Sequence, residues 1–236
     1  LEPGLIDPPR VAAHAPGVGA VDPVAATRAF CAAARSAGAE LRFGVQVRGL
    51  TEAKGAVTGL AVDGEEIPAD MVVAAAGVGS VDLVRSVGVT LPVHTSPATL
   101  IRMRVDRPLV RGIVAGPNFE IRQAGDTLLL GAADYIDETP ENGPPAIGRR
   151  VLDAVRAGVR DGEGATLIDA EPGWRPMPQD GAPIVGRAPG VEGLYLAAMH
   201  AGIIMAPVVG RLAAQEILDN RAAEALQPCR PERFRL

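Results

Sequence analysis

No apolar run in this sequence approaches the roughly 20 residues that a helix needs to cross a bilayer, so no membrane-spanning segment is expected. The opening "LEPGLIDPPR" has neither the basic start nor the apolar centre of a secretory signal. Cysteine is nearly absent: Cys31 and Cys229 are the only two among 236 residues. They form neither a disulfide ladder nor a metal spacing, which points to a reducing, cytoplasmic setting and to no metal. Aromatic residues make up 3% of the chain, too few for a platform on which single-stranded nucleic acid stacks. Lysine and arginine nowhere gather into a run, and the formal net charge is -5, which argues against nucleic acid or a charged membrane surface as partner.

What is there suffices for a core. Hydrophobic residues are 47% and charged residues 22%, the proportions of a globular chain with one large domain or two small ones. The first 22 residues offer loop and short strand. A helix is predicted from Pro23 to Ala37, with Asp22 as N-cap, Pro23 at the first position and Gly38 as the stop. Ala26, Phe30, Ala33 and Ala37 share one of its faces. From Glu40 onward apolar and polar residues alternate around turn signals at Lys54-Gly55 and Asp63-Gly64. That pattern predicts a strand and a β-meander, ending in the buried strand "MVVAAAG". "SVDLVRSVG" follows as a short helix.

Between about residues 91 and 134 short strand-like pieces predict an antiparallel sheet. A helix from Pro145 to Val159 comes next, then the strand "ATLIDAEPGWRPMP" running into an irregular turn. The short buried strand "GLYLAAM", a last helix from Met205 to Asn220 and an exposed tail complete the chain. The expected class is α/β (α+β). Its order is that of a chain that leaves a nucleotide-binding sheet, builds a second domain and returns.

Three stretches carry a resemblance. "GVGAVDPVAATRAFCAAARSAGAEL", "EIPADMVVAAAGVGS" and the run from Trp174 to Ile217 resemble, in that order, the FAD-dependent oxidoreductases of the D-amino-acid oxidase and glycine oxidase group. The resemblance implies FAD as cofactor and a small carboxylate-bearing amine or amino acid as substrate, its C–N bond oxidised by hydride transfer to the flavin. It implies an incomplete Rossmann-like FAD domain (16–90 and 180–222), an antiparallel-sheet substrate domain (1–15 and 91–179) and a C-terminal tail (223–236). The "VDP" helix would pack on the FAD sheet, Val47 would meet the adenine, and Ala76 and Gly77 would approach the cofactor.

His200, Ala201, Gly202, Ile203 and Ile204 would form the turn into the last helix. Free amides there, at the positive end of the helix dipole, would stabilise charge developing on a flavin. Gly202 would permit close backbone approach, and Pro207 would open the helix without wasting a donor. This turn reads Met-His-Ala-Gly, where the family more usually has Gly-His-x-x-x-Gly. Arg175 matches the arginine with which glycine oxidase-like members grip the substrate carboxylate, a bidentate task suited to guanidinium. A plain core strand for "VVAAAG", a hydrogen-bonded turn for His200 and a surface salt bridge for Arg175 stay open alternatives. Asp180-Gly181 is expected to be a structural turn and His94 a loop histidine; neither Tyr135 nor Tyr195 matches a substrate-binding tyrosine.

One family feature has no counterpart. The "GVG" runs at Gly17–Gly19 and Gly77–Gly79 do not extend to the G-x-G-x-x-G turn that holds the FAD pyrophosphate. The expectation is the C-terminal portion of a longer flavoenzyme, pairing with a missing N-terminal FAD-binding part or with itself, and binding FAD weakly alone. A 2-hydroxy-acid dehydrogenase of the same fold, or a non-catalytic fragment or subunit, are the alternatives.

Overall fold

The computed structural model describes residues 2–234; Leu1, and Arg235 and Leu236 at the end of the expected tail, lie outside them. The chain runs through α1 (Pro23–Ser36), β1 (Val47–Ala53), β2 (Ala56–Val62), β3 (Glu65–Pro68), β4 (Val72–Ala74) and α2 (Ser80–Arg85). It continues with β5 (Val93–Arg104), β6 (Ile113–Ala115), β7 (Glu120–Gln123), β8 (Leu128–Asp134) and α3 (Pro144–Gly158). β9 (Thr166–Pro178), β10 (Ile184–Arg187), β11 (Leu194–Ala198) and α4 (Gly202–Leu218) follow. Two compact units result: residues up to Ala26 with Pro97–Trp174, and Thr27–Ser96 with the residues from Arg175 onward.

In the first unit five strands stand in the order β6-β7-β8-β5-β9. β5 and β8, β7 and β8, and β6 and β7 are antiparallel, with Ile101 opposite Gly131 and Met103 opposite Leu129. Period-2 alternation buries Thr99, Ile101 and Met103 and turns Leu100, Arg102 and Arg104 outward. α3 presents Ile147, Val151, Leu152 and Val155 at helical spacing to that buried face. The antiparallel sheet is therefore as expected. β9 differs: it stays a strand through Pro178 instead of breaking into a turn, because β5 beside it supplies ladder partners.

The second unit holds the meander β1-β2-β3 and a sheet ordered β10-β11-β4. Both meander turns put two residues in left-handed conformations, Lys54-Gly55 at φ 54° and 79° and Asp63-Gly64 at 42° and 88°. Such pairs match the twist of a two-residue hairpin. In the other sheet β11 runs parallel to β4, with Tyr195 beside Val73 and Leu196 beside Ala74, and antiparallel to β10. One face buries Ile184, Leu194, Leu196, Val72 and Ala74 with Val57, Val84 and Leu91; the other buries Val185 and Tyr195 under Val209, Leu212 and Ala213 of α4.

Four expectations are corrected here. α1 has its Asp22 cap, whose Oδ1 accepts the amides of Val24 and Ala25 at 2.9 and 3.0 Å, yet it buries none of its residues. Phe30 stays 53% exposed. The alternation from Leu41 does not become a strand until Val47, since no described strand offers it hydrogen bonds, and Phe43 stands 75% exposed. The last helix starts at Gly202, so Pro207 lies inside it and removes a hydrogen bond to the carbonyl four residues before, instead of opening the helix. Its buried face is Val209, Leu212, Ala213 and Glu216, with Val208 exposed. The segment after α4 is no exposed tail: Ala223 and Leu226 are core residues, Cys229 packs beside them, and Phe234 packs on the opposite core.

Candidate functional site

All the candidate residues fall in the second unit. β4 and β11 are parallel neighbours, so their carboxyl ends lie side by side, and each leads through a tight turn into a helix. Open sheets with parallel strands take their ligands outside such carboxyl ends. After β4 the turn is Ala76-Gly77, followed by a short 3-10 turn, Gly77–Gly79, and α2. Gly77 has φ +60°, which a side chain would resist. The Ala76 amide donates to Ser80 Oγ at 2.9 Å and its carbonyl accepts from the Gly79 amide at 3.1 Å. The polar groups of Ala76 are thus engaged inside the turn. Ser80, fully buried, is a residue that the sequence did not single out; a serine four places past an alanine carries no distinctive signal.

After β11 the turn is Met199 to Ala201. Ala201 takes the left-handed conformation (φ 62°, ψ 34°) at the N-cap of α4, and its carbonyl accepts the Met205 amide at 3.1 Å. No side chain caps this helix, so the amides of its first turn are left to whatever approaches them. A Cβ built on Gly202 would meet nothing within 4 Å, and His200, Ile203 and Ile204 are exposed. His200 is therefore no buried turn histidine.

Arg175 lies on β9, half-buried. Its Nε donates to the Ser96 carbonyl at 3.0 Å and an Nη to Ser96 Oγ at 2.9 Å, which fixes the plane of the guanidinium. The next residue, Pro176, is the nearest neighbour to a Cβ built on Gly77, at 4.0 Å. The structure thus brings the Gly77 turn beside the Arg175 strand and lays β4 along β11. Val47 sits elsewhere, at the start of β1, paired with Val62.

The remaining polar residues have structural duties. Asp180 Oδ1 accepts the Ala182 amide at 3.1 Å, and the carboxylate takes two hydrogen bonds from Arg233, which holds its pKa down at about 2. Tyr195 is buried and donates to Glu216 at 2.6 Å. Tyr135, of the first unit, leans on Trp174 at 5.9 Å and donates to Glu138 at 2.6 Å, which pushes its pKa up to about 12. His94 is exposed. Among the described residues no group of His, Cys, Asp and Glu could hold a metal ion, and no helix is long and apolar enough to cross a membrane.

These features suit a ligand held chiefly through backbone amides and one cation. Comparison with known proteins gives the family. The family model described as FAD dependent oxidoreductase matches residues 1–216. A glycine oxidase of Pseudomonas putida is 33% identical over 174 residues, covering 71% of this chain and 47% of its own length. A glycine oxidase of Geobacillus kaustophilus is 30% identical over 240 residues, covering 93% of this chain and 61% of its own. The crystal structure of glycine oxidase from that organism superposes with a TM-score of 0.72 at 28% identity, over 86% of this chain and 56% of the other. L-proline dehydrogenase from P. horikoshii shares the fold, with a TM-score of 0.76 at 21% identity over 91% of this chain and 60% of the other. The chain thus spans about half the length of the relatives it matches.

Proposed function

The chain belongs to the family of FAD dependent oxidoreductases, and on that premise we propose that it supplies part of the flavin cradle and the substrate anchor of an enzyme that oxidises the C–N bond of an amine or amino acid. The observation that carries this is the pairing of the β4 and β11 ends, with the Arg175 strand beside the first and an uncapped helix after the second. When bound, FAD accepts the hydride of such an oxidation. The residues that would hold it are Ala76 and Gly77 through their turn, and His200 to Ile204 through the amides entering α4, with Val47 at the start of β1. Hydrogen-bond donors fixed before reaction contribute strongly to catalysis, because nothing has to reorganise when charge develops.

Arg175 would bind the substrate carboxylate. Ser96 accepts two of its hydrogen bonds and so sets the direction of the fork, which is what bidentate recognition requires. We assign residues 16–90 and 180–222 to the cofactor and residues 1–15 and 91–179, Arg175 among them, to the substrate. The two cysteines, both unbridged, suit a reducing cytoplasm.

A finer reading concerns the nucleotide end of the cofactor. β4 has β11 on one side and no described strand on the other, the alternation from Leu41 to Gln46 stays unpaired, and α1 is bare. These surfaces support a sheet completed by further parallel strands, which would bring a G-x-G-x-x-G turn for the pyrophosphate. Incubation with excess FAD followed by desalting is expected to leave the chain colourless. A flavin band near one per chain would instead mean that these residues suffice to hold the cofactor. In a longer chain that also carries the pyrophosphate site and holds flavin, Arg175→Ala should abolish turnover of a carboxylate-bearing amine while the flavin stays bound; unchanged turnover would remove the anchor assignment.

A further inference from the structure

We infer that Glu216 is a positioning residue: with Tyr195, Ala223 and Arg230 it locks the base of the β11–turn–α4 unit and thereby aims the uncapped amides at the other end of the helix. The inference goes beyond the proposed function and rests on it only for what those amides face.

Glu216 is 6% exposed, a depth at which a carboxylate persists only when both oxygens are satisfied. They are. Oε2 accepts from Tyr195 Oη at 2.6 Å and from an Nη of Arg230 at 2.7 Å; Oε1 accepts the Ala223 amide at 2.6 Å and the other Nη of Arg230. The Glu216 carbonyl also accepts from Arg187 on β10, at 3.4 Å. The side chain therefore ties α4 to β11 and to the segment that follows the helix, and the main-chain carbonyl of the same residue adds the link to β10. That segment crosses β10 closely: a Cβ on Gly186 would meet Pro231 Cδ at 2.8 Å. Farther on, Arg233 fastens it to Asp180 and to the Ala182 carbonyl.

The two ends of α4 differ in what holds them. Every fully buried residue of the helix lies between Val209 and Glu216, whereas Gly202, Ile203 and Ile204 are exposed. The tip packs only through the partly buried Met205 and, in the turn before it, Met199, and otherwise takes its position from the base. Glu216 lies about 21 Å from Gly202 at about 1.5 Å per residue, so a tilt of about 10° at the base moves the tip by about 4 Å. Misplacement of a catalytic group by about 1 Å can already cost about a hundredfold in rate. A purely apolar contact at position 216 would let the helix slide; a carboxylate with four directional partners does not.

Hydrogen exchange on the full chain tests this without any cofactor. The probes are the first hydrogen-bonded amides of α4: Met205, whose amide reaches the Ala201 carbonyl at 3.1 Å, and then Ala206 and Val208. In Arg230→Met they should exchange at least about tenfold faster, and Glu216→Gln, which keeps most partners but loses the charge, should fall between that variant and the unmodified chain. Arg233→Met, which frees only the outer end of the segment, should leave them unchanged. Acceleration confined to residues 216–234 in Arg230→Met would overturn the inference. If Arg230→Met does not fold, Tyr195→Phe removes one bond and keeps the ion pair; no acceleration at Met205 there overturns the inference equally. A wrong reading of what the helix tip faces would leave these rates as they are, so the two ideas fail separately.

Discussion

The sheet of the first unit and the β10-β11-β4 sheet of the second close their faces to different degrees. In the first, α3 covers a continuous inner face, and Ile101, Met103, Ile121 and Leu129 are all at most 1% exposed. In the second, α4 covers β10 and β11, but Val73, on the same face and beside Tyr195, remains 45% exposed. The apolar groups left open include Val73 on β4 and Ile203 and Ile204 at the helix tip, and also Leu218 at the other end of α4 and Val47 on β1. What holds the second unit together, Glu216 with Arg230 and Tyr195, sits at the far end of α4. Stability and the proposed chemistry are thus kept apart along one helix, and separate substitutions can test each.

The largest effect should come from the base of α4. Arg230→Met leaves the buried Glu216 carboxylate without its cation, a loss of about 3–5 kcal/mol in urea unfolding. Next is the first unit's core, where Leu129→Ala removes a fully buried side chain and should cost about 2–5 kcal/mol. If Leu129→Ala cost less than about 1 kcal/mol, the first sheet would be no tighter than the second and the contrast between them would fall.

Acid sharpens the contrast. Hydrogen bonds from Arg230 lower the pKa of Glu216 from 4.5 to about 2, against the opposing effect of its burial. A carboxylate whose folded pKa is depressed binds fewer protons in the folded state. Its contribution is present above pH 4.5 and is lost as pH falls towards 2. Melting temperatures should therefore drop across that window, and Glu216→Gln should flatten the drop. Asp180, held at about 2 by Arg233, adds a smaller, more exposed share that Glu216→Gln leaves in place.

Ala201→Gly probes the tip. A left-handed alanine costs about 1–2 kcal/mol, of which glycine's greater freedom when unfolded returns about 0.5–1. The substitution should stabilise the chain by about 0.5–1 kcal/mol in the same urea titration. A destabilised variant would mean that the Ala201 methyl is packed more firmly than an open tip allows.

Legibility in the sequence followed locality. The Asp22 cap, both hairpin turns and α3 depend on neighbours a few residues away, and each appeared where the pattern placed it; the antiparallel sheet appeared as well, although its strands meet at longer range, Ala98 opposite Asp134. The alternation from Leu41 to Gln46 was a strand pattern without a partner to make it a strand, and period alone cannot show whether a partner exists. Pro207 was misplaced because a proline is allowed at a helix start, and the glycine-led turn before it gave no cap that would fix the boundary. The site was visible as motifs but not as a constellation. Gly77 meets Pro176 and Arg175 meets Ser96 only through contacts 79 residues apart or more, and Glu216 looked like any surface glutamate on an otherwise apolar helix.

The smallest expected effect bears most directly on the open face. Phe30→Ser on α1 and Ile204→Ser at the helix tip replace side chains that are 53% and 76% exposed, so each should change stability by less than about 0.5 kcal/mol. A buried phenylalanine would cost several times more. The measurement should be made at two protein concentrations. If either substitution costs as much as a core residue, and the cost shrinks on dilution, a second copy of the chain covers that face in solution and the openness of the second unit belongs to the single chain only. If neither substitution costs anything at any concentration, the apolar surface is free. Its persistence then needs another occupant, and the unpaired edge of β4 is where an added strand would find both hydrogen bonds and a neighbouring core.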